Sequence, residues 1–68
     1  MSWIEVAPAY GRDYKSQKAV KEDWAADKDF RDTASGSYIN RMGAERLGLS
    51  VIVRYGNGLK VMSIPFKK

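Results

Sequence analysis

Residues 50–64, SVIVRYGNGLKVMSI, constrain the fold of this chain more than any other stretch. Val51, Ile52, Val53 and Tyr55 are β-branched or aromatic, Leu59, Val61, Met62 and Ile64 follow, and Gly56, Asn57 and Gly58 stand between. Two extended runs around a tight-turn signal predict a β-hairpin. With Asn57 and Gly58 at the centre of a type I′ turn, Tyr55 opposes Lys60, Val53 opposes Met62 and Val51 opposes Ile64. Val51, Val53, Tyr55, Met62 and Ile64 then share a core face, and Ile52, Arg54, Val61 and Ser63 the opposite one. A three-residue Gly56-Asn57-Gly58 loop would instead set Arg54 against Lys60. Like charges directly opposed across a ladder are unfavourable, so the two-residue turn is preferred.

The 68 residues make one domain, 1–68. A chain this short removes only about 60% of its unfolded surface from water, so its stability is marginal. With no cysteine and no histidine, it has no disulfide staples, no common zinc-ligand set and no Cys-His or Ser-His nucleophile pair. Self-association is one way for such a domain to bury more surface. No apolar run approaches the roughly 18 residues of a spanning helix, and residues 1–8 lack the basic start and apolar middle of a signal peptide. A cytoplasmic chain without a membrane partner is expected.

Charge is unevenly spread. Residues 1–32 carry six basic and seven acidic side chains, whereas residues 33–68 carry six basic ones, Arg41, Arg46, Arg54, Lys60, Lys67 and Lys68, against Glu45 alone. The positive excess belongs to the hairpin half.

Taken in order, Trp3, Ile4, Glu5 and Val6 read as a first strand stopped at Pro8, which has no N–H for a ladder and suits an edge or a short strand. Residues 10–15 form a loop. Ser16 is a helix N-cap, and the helix runs over residues 17–27 with Val20 and Trp24 one turn apart on its apolar stripe. Asp27 and Asp29 oppose the dipole at its C-terminal end, which predicts fraying there. Phe30 anchors the exit within a short extended segment, 29–32, followed by a polar turn over 33–37 and a short strand over 38–40. Residues 42–47 are ambiguous: Gly43 weakens a helix, Ala44 to Leu47 favour one turn, and Gly48 would close it. Phe66, Lys67 and Lys68 follow Pro65, the two lysines in solvent. The fold class expected is α+β, a mostly antiparallel sheet of three to five strands with one helix packed on a face and the hairpin at the C-terminus. A small curled barrel with the helix plugging one end is the alternative.

Residues 3–16 (WIEVAPAYGRDYKS), 24–30 (WAADKDF) and 38–40 (YIN) resemble short uncharacterised proteins encoded in phage and prophage genomes. The resemblance covers the first forty residues better than the rest. It implies a phage or bacterial setting and an accessory role, and it transfers no site residues.

Two groups of residues stand out as candidate sites. The loop around Tyr10, Arg12 and Tyr14 concentrates aromatic and charged groups where a connection needs few: Arg12 suits a phosphate or carboxylate, with a tyrosine as stacking wall. In the bland reading the tyrosines cover the helix start and Arg12 pairs within the fold. The second group is Arg41, Arg46, Arg54 and Lys60, which with Tyr38, Tyr55 and Phe66 would suit single-stranded nucleic acid on an exposed sheet face. Against it, Tyr55 falls on the core face, and sheet proteins commonly turn basic residues outward. The acids Glu22, Asp23, Asp27, Asp29 and Asp32 fail the calcium-loop spacing, so no metal or cofactor is expected. Nothing places paired carboxylates in a cleft, and so short a chain seldom encloses a pocket of several hundred Å3, roughly the size ligand sites need. The expectation is a non-enzymatic binding module acting on a host protein. A nucleic-acid-binding protein and a homo-oligomeric structural component are the alternatives.

Overall fold

Two strands of alternating pattern form the centre of the sheet. β1 (Ser2–Pro8) and β4 (Leu49–Tyr55) run parallel, with Ile4 beside Val51 and Val6 beside Val53. The computed structural model describes residues 2–66; Lys67 and Lys68, placed in solvent by the sequence reading, lie outside the described residues. The remaining elements are α1 (Gln17–Ala25), β2 (Phe30–Asp32), β3 (Tyr38–Ile39), α2 (Arg41–Leu47) and β5 (Lys60–Ile64). The sheet order is β3-β2-β1-β4-β5, antiparallel except for the central pair.

The α+β class, the mostly antiparallel sheet and the C-terminal hairpin are as the sequence predicts. Val51 pairs with Ile64, Val53 with Met62 and Tyr55 with Lys60. Asn57 and Gly58 hold φ of 59° and 80°, and the Leu59 N–H donates to the Gly56 carbonyl at 3.2 Å. These two residues fit the centre of a type I′ turn, but Gly56 is also left-handed at φ 60° and gives its N–H to Asp13 Oδ1 at 3.1 Å, so the strands close at Tyr55 and Lys60 over a four-residue loop rather than the two-residue one expected.

Three expectations are corrected. β1 is the central strand rather than an edge, and it tolerates Pro8 because pairing to β4 has ended at Val6 before the proline is reached. The sheet stays open, with β3 and β5 at its edges, and does not curl into a barrel. Two helices form instead of one. α2 exists through its caps more than its stripe: Asn40 Oδ1 accepts from the Gly43 N–H at 2.9 Å, and Gly48 closes the last turn at φ 69°. Of its side chains only Ala44 is buried, while Met42 and Leu47 are exposed.

α1 begins as predicted, with Ser16 Oγ accepting from the Ala19 N–H at 3.2 Å, but stops at Ala25. Asp27 then takes φ 60°, which ends any helical continuation. Both helices contribute to one core: Val20 and Trp24 from α1 and Ala44 from α2 meet Val6, Phe30, Val51, Val53, Tyr55 and Met62. The helices therefore cover one face of the sheet. Strand alternation sends Trp3, Glu5, Ala7, Ile52, Arg54, Val61 and Ser63 to the other.

The two glycines of α2 should respond in opposite directions. A Cβ at Gly43 meets only ordinary contacts, Asn40 Oδ1 at 3.4 Å and Ile39 Cγ1 at 3.6 Å, so Gly43→Ala should stabilise by about 0.5–1 kcal/mol through helix propensity. Gly48→Ala has free space around it but a left-handed backbone, so it should destabilise by about 1 kcal/mol. Urea titrations of the two variants check the signs.

Candidate functional site

The loop after β1 is locked into the fold. Tyr14 is buried, stacked on Phe30 with ring centroids 5.8 Å apart, and its hydroxyl donates to Asp23 Oδ2 at 2.6 Å. Arg12 lies across the same ring, 5.2 Å from the Phe30 centroid, and all its nitrogens have work inside the chain. Nε donates to the Ala9 carbonyl at 3.0 Å, Nη1 to Asp23 Oδ2 at 3.3 Å, and Nη2 to the Asp29 carbonyl. A guanidinium so occupied is not free to grip a ligand. Tyr10 differs: it is 68% exposed, stacks on Tyr38 at 5.1 Å, and donates to Asp29 Oδ2 at 3.1 Å. Of the three loop residues it is the one that remains presented to a partner.

The four basic residues are dispersed. Arg41 stands on the helix side, bridging Asp27 at 3.3 Å and Glu45 at 3.5 Å. Arg46 is exposed in the last turn of α2, and Lys60 begins the edge strand. Arg54 emerges on the opposite side of the sheet, paired with Glu5. That pairing holds the Glu5 carboxyl below its ordinary pKa, chiefly through the Arg54 hydrogen bond. No single surface collects the four.

The helix-free side of the sheet does collect residues, several of them absent from the candidates read off the sequence. Tyr38 lies beside Arg31 across β3 and β2, and Arg31 beside Ala7. Next come Glu5 beside Ile52 and then Ser63, and Arg54 beside Val61. Trp3, Tyr38 and Val61 are 46%, 56% and 46% exposed. Across five strands this face is about 20 Å wide. Arg31 has no ion-pair partner among the described residues, and the Tyr10 and Tyr38 rings stand at its β3 end. Strand alternation around Val6 and Val53 was the signal that placed Trp3 and Arg31 here, once β1 and β2 were known to flank one another.

A cleft of about 460 Å3 opens on the helix side, lined by Trp24, Ala44, Leu49, Ile64 and Phe66 with Lys21, Arg41 and Glu45 around them. Its size exceeds the expectation for so short a chain, and the second helix is the reason: α1 and α2 stand apart over the end of β5. Glu45 is its one carboxylate, and that group is engaged by Arg41. The acids of the first half are used as structural acceptors. Asp23 takes Arg12, Tyr14 and Lys28, Asp27 takes Arg41, and Asp32 Oδ1 accepts from the Ala34 N–H at 2.8 Å. Among the described residues no group of three or more His, Cys, Asp or Glu could hold a metal ion.

The loop network predicts stability effects rather than loss of a contact surface. Arg12→Ala removes three hydrogen bonds and the cover over Phe30, and should destabilise by about 2–4 kcal/mol in chemical unfolding. Burial, reinforced by the hydrogen bond to Asp23, pushes the Tyr14 phenol up to about 12. Below pH about 10 the residue is protonated whether folded or unfolded, and its contribution is complete. Above that the unfolded chain releases the proton first, so stability falls as pH climbs towards about 12. Tyr14→Phe should be less stable by about 1 kcal/mol at pH 8 yet lose less between pH 9 and 11, read by urea midpoints along a pH series.

Compared with known proteins, the chain matches no family model, no curated protein and no solved structure.

Proposed function

We propose that this protein is a non-enzymatic binding module that docks a protein partner on the open face of its sheet. The observation that carries the reading is the set of Trp3, Tyr38, Val61, Arg31 and Arg54 left uncovered on one side of a sheet whose other side holds the whole core. Tryptophan, tyrosine and arginine supply most of the energy of protein interfaces, because they combine large apolar area with directed polar groups. Here they surround aliphatic Ile52 and Val61, with the Glu5–Arg54 pair between them.

Nucleic acid fits the same face less well. Stacking rings are present, but phosphate tracking needs several free cations along one path. Arg54 is occupied by Glu5, Arg41 stands on the helix side, and Asp29 adds a negative group beside Tyr10. The resemblance of residues 3–16, 24–30 and 38–40 to short phage and prophage proteins supports a bacterial host protein as the partner and the host cytoplasm as the place. No helix of the described residues is long and apolar enough to cross a membrane.

The test uses the uncovered tryptophan. In a Trp24→Phe background Trp3 becomes the sole indole, and its emission should shift on titration with a partner recovered by crosslinking in a host extract. Trp3→Ala and Arg31→Glu should each weaken that partner's binding by about tenfold or more, while Lys18→Glu on the exposed side of α1 should not. Equal loss in all three variants, or none, would reject the face. Binding to single-stranded oligonucleotide that falls steeply between low and moderate salt would transfer the role to nucleic acid.

A further inference from the structure

Two arginines of the helix side are satisfied to different degrees. Every nitrogen of Arg12 has an oxygen partner inside the chain. Arg41 reaches Asp27 through Nη2 at 3.3 Å and Glu45 through Nη1 at 3.5 Å, which engages at most two of its five N–H groups. Its Nε is buried and has no hydrogen-bond partner among the described residues. A guanidinium short of acceptors carries an unmet cost that an added oxygen acceptor would relieve.

Arg41 lines the cleft of about 460 Å3 described above. Clefts that hold small molecules are of roughly 300–1,000 Å3, mostly apolar, with a few polar groups that fix orientation. Here Trp24, Leu49, Ile64 and Phe66 are the large apolar side chains of the lining. Lys21 is its second cation and has no ion-pair partner among the described residues. Glu45 is held by Arg41, so a cationic ligand would find no free carboxylate. Two cations against one acid leave a single positive charge beside hydrocarbon.

We propose that this cleft binds a medium-chain aliphatic carboxylate, its chain against Trp24, Leu49, Ile64 and Phe66 and its head at Lys21 and the unused N–H groups of Arg41. The charge decides the head group: a monoanion balances the single positive excess, whereas a phosphate dianion overshoots it. A carboxylate also offers two acceptor oxygens in one plane, which suits a guanidinium with donors to spare. The chain supplies the affinity through its buried methylenes, and the head fixes which end enters. Trp3 and Arg31 lie on the opposite side of the sheet, so the cleft can be filled whether or not the open face binds a protein.

Trp24 reports on the cleft directly. In a Trp3→Phe background it is the sole indole, and its emission should change saturably with octanoate below the micelle-forming range, half-complete between about 10 μM and about 1 mM. Octanol has the same chain without the charge and should bind about tenfold more weakly; octyltrimethylammonium should not compete. Lys21→Glu, on the exposed side of α1, should weaken octanoate by about fivefold and leave octanol unchanged. Lys60→Glu makes the same change in net charge at the far end of β5 and should weaken neither. NMR shifts on octanoate addition should concentrate at Ala44, Leu49 and Ile64. No saturable Trp24 response up to about 10 mM octanoate overturns the proposal. So does octanol binding as tightly as octanoate, equal loss in the Lys21 and Lys60 variants, or shifts that gather at Trp3 and Val61 on the open face instead.

Discussion

Parallel pairing of β1 with β4 is the constraint on which the rest of the structure depends. Two parallel strands cannot be joined by a tight turn, so the chain that leaves β1 must travel back to the starting end before β4 begins. α1, β2, β3 and α2 make that journey, and both helices return over the same side of the sheet. β2 lies along the free flank of β1, and β5 follows β4 through the local hairpin. The consequence is a one-sided molecule, with every large buried side chain between helices and sheet and the opposite face in solvent.

What was legible in the sequence was what a few neighbouring residues decide among themselves. The Gly56-Asn57-Gly58 turn and the alternation on either side of it set the hairpin register, because a shift of one residue would send Val51, Val53 and Met62 to the wrong face. Ser16 marked the start of α1 because its hydroxyl meets a backbone amide three residues on. The centrality of β1 was hidden, since Pro8 reads as an edge signal and nothing local announces a partner more than forty residues away. α2 was ambiguous for a related reason: Met42 and Leu47, its larger apolar residues, face out, so its helical period carries no core stripe.

Arg12 shows why the candidate site was only partly readable. In sequence, an arginine between two tyrosines in a loop has the composition of a recognition site. In the fold, the same side chain satisfies the Ala9 and Asp29 carbonyls and the Asp23 carboxylate while covering Phe30. A buried carbonyl without a donor is costly, and one guanidinium can serve several acceptors at once in a plane that also lies flat on a ring. Residue type could not distinguish these uses, because both need a planar cation near aromatic groups. Distance from β1 to β2 could, and it became available only with the sheet order.

The same geometry separates stability from recognition. Phe30 sits where Tyr14, Trp24 and Arg12 converge, with Trp24 edge-on at 5.5 Å, so changes in this cluster act on the folded state as a whole. Trp3, Arg31 and Val61 lie across the sheet from it and lend little to the core, so changes there leave the fold largely intact. Residues on opposite faces of a sheet share no contacts, and their effects add rather than couple. A chain too short for two cores can therefore keep its cohesion on one face and vary the other freely. That freedom is physically available only because β1 and β4 hold the two faces apart.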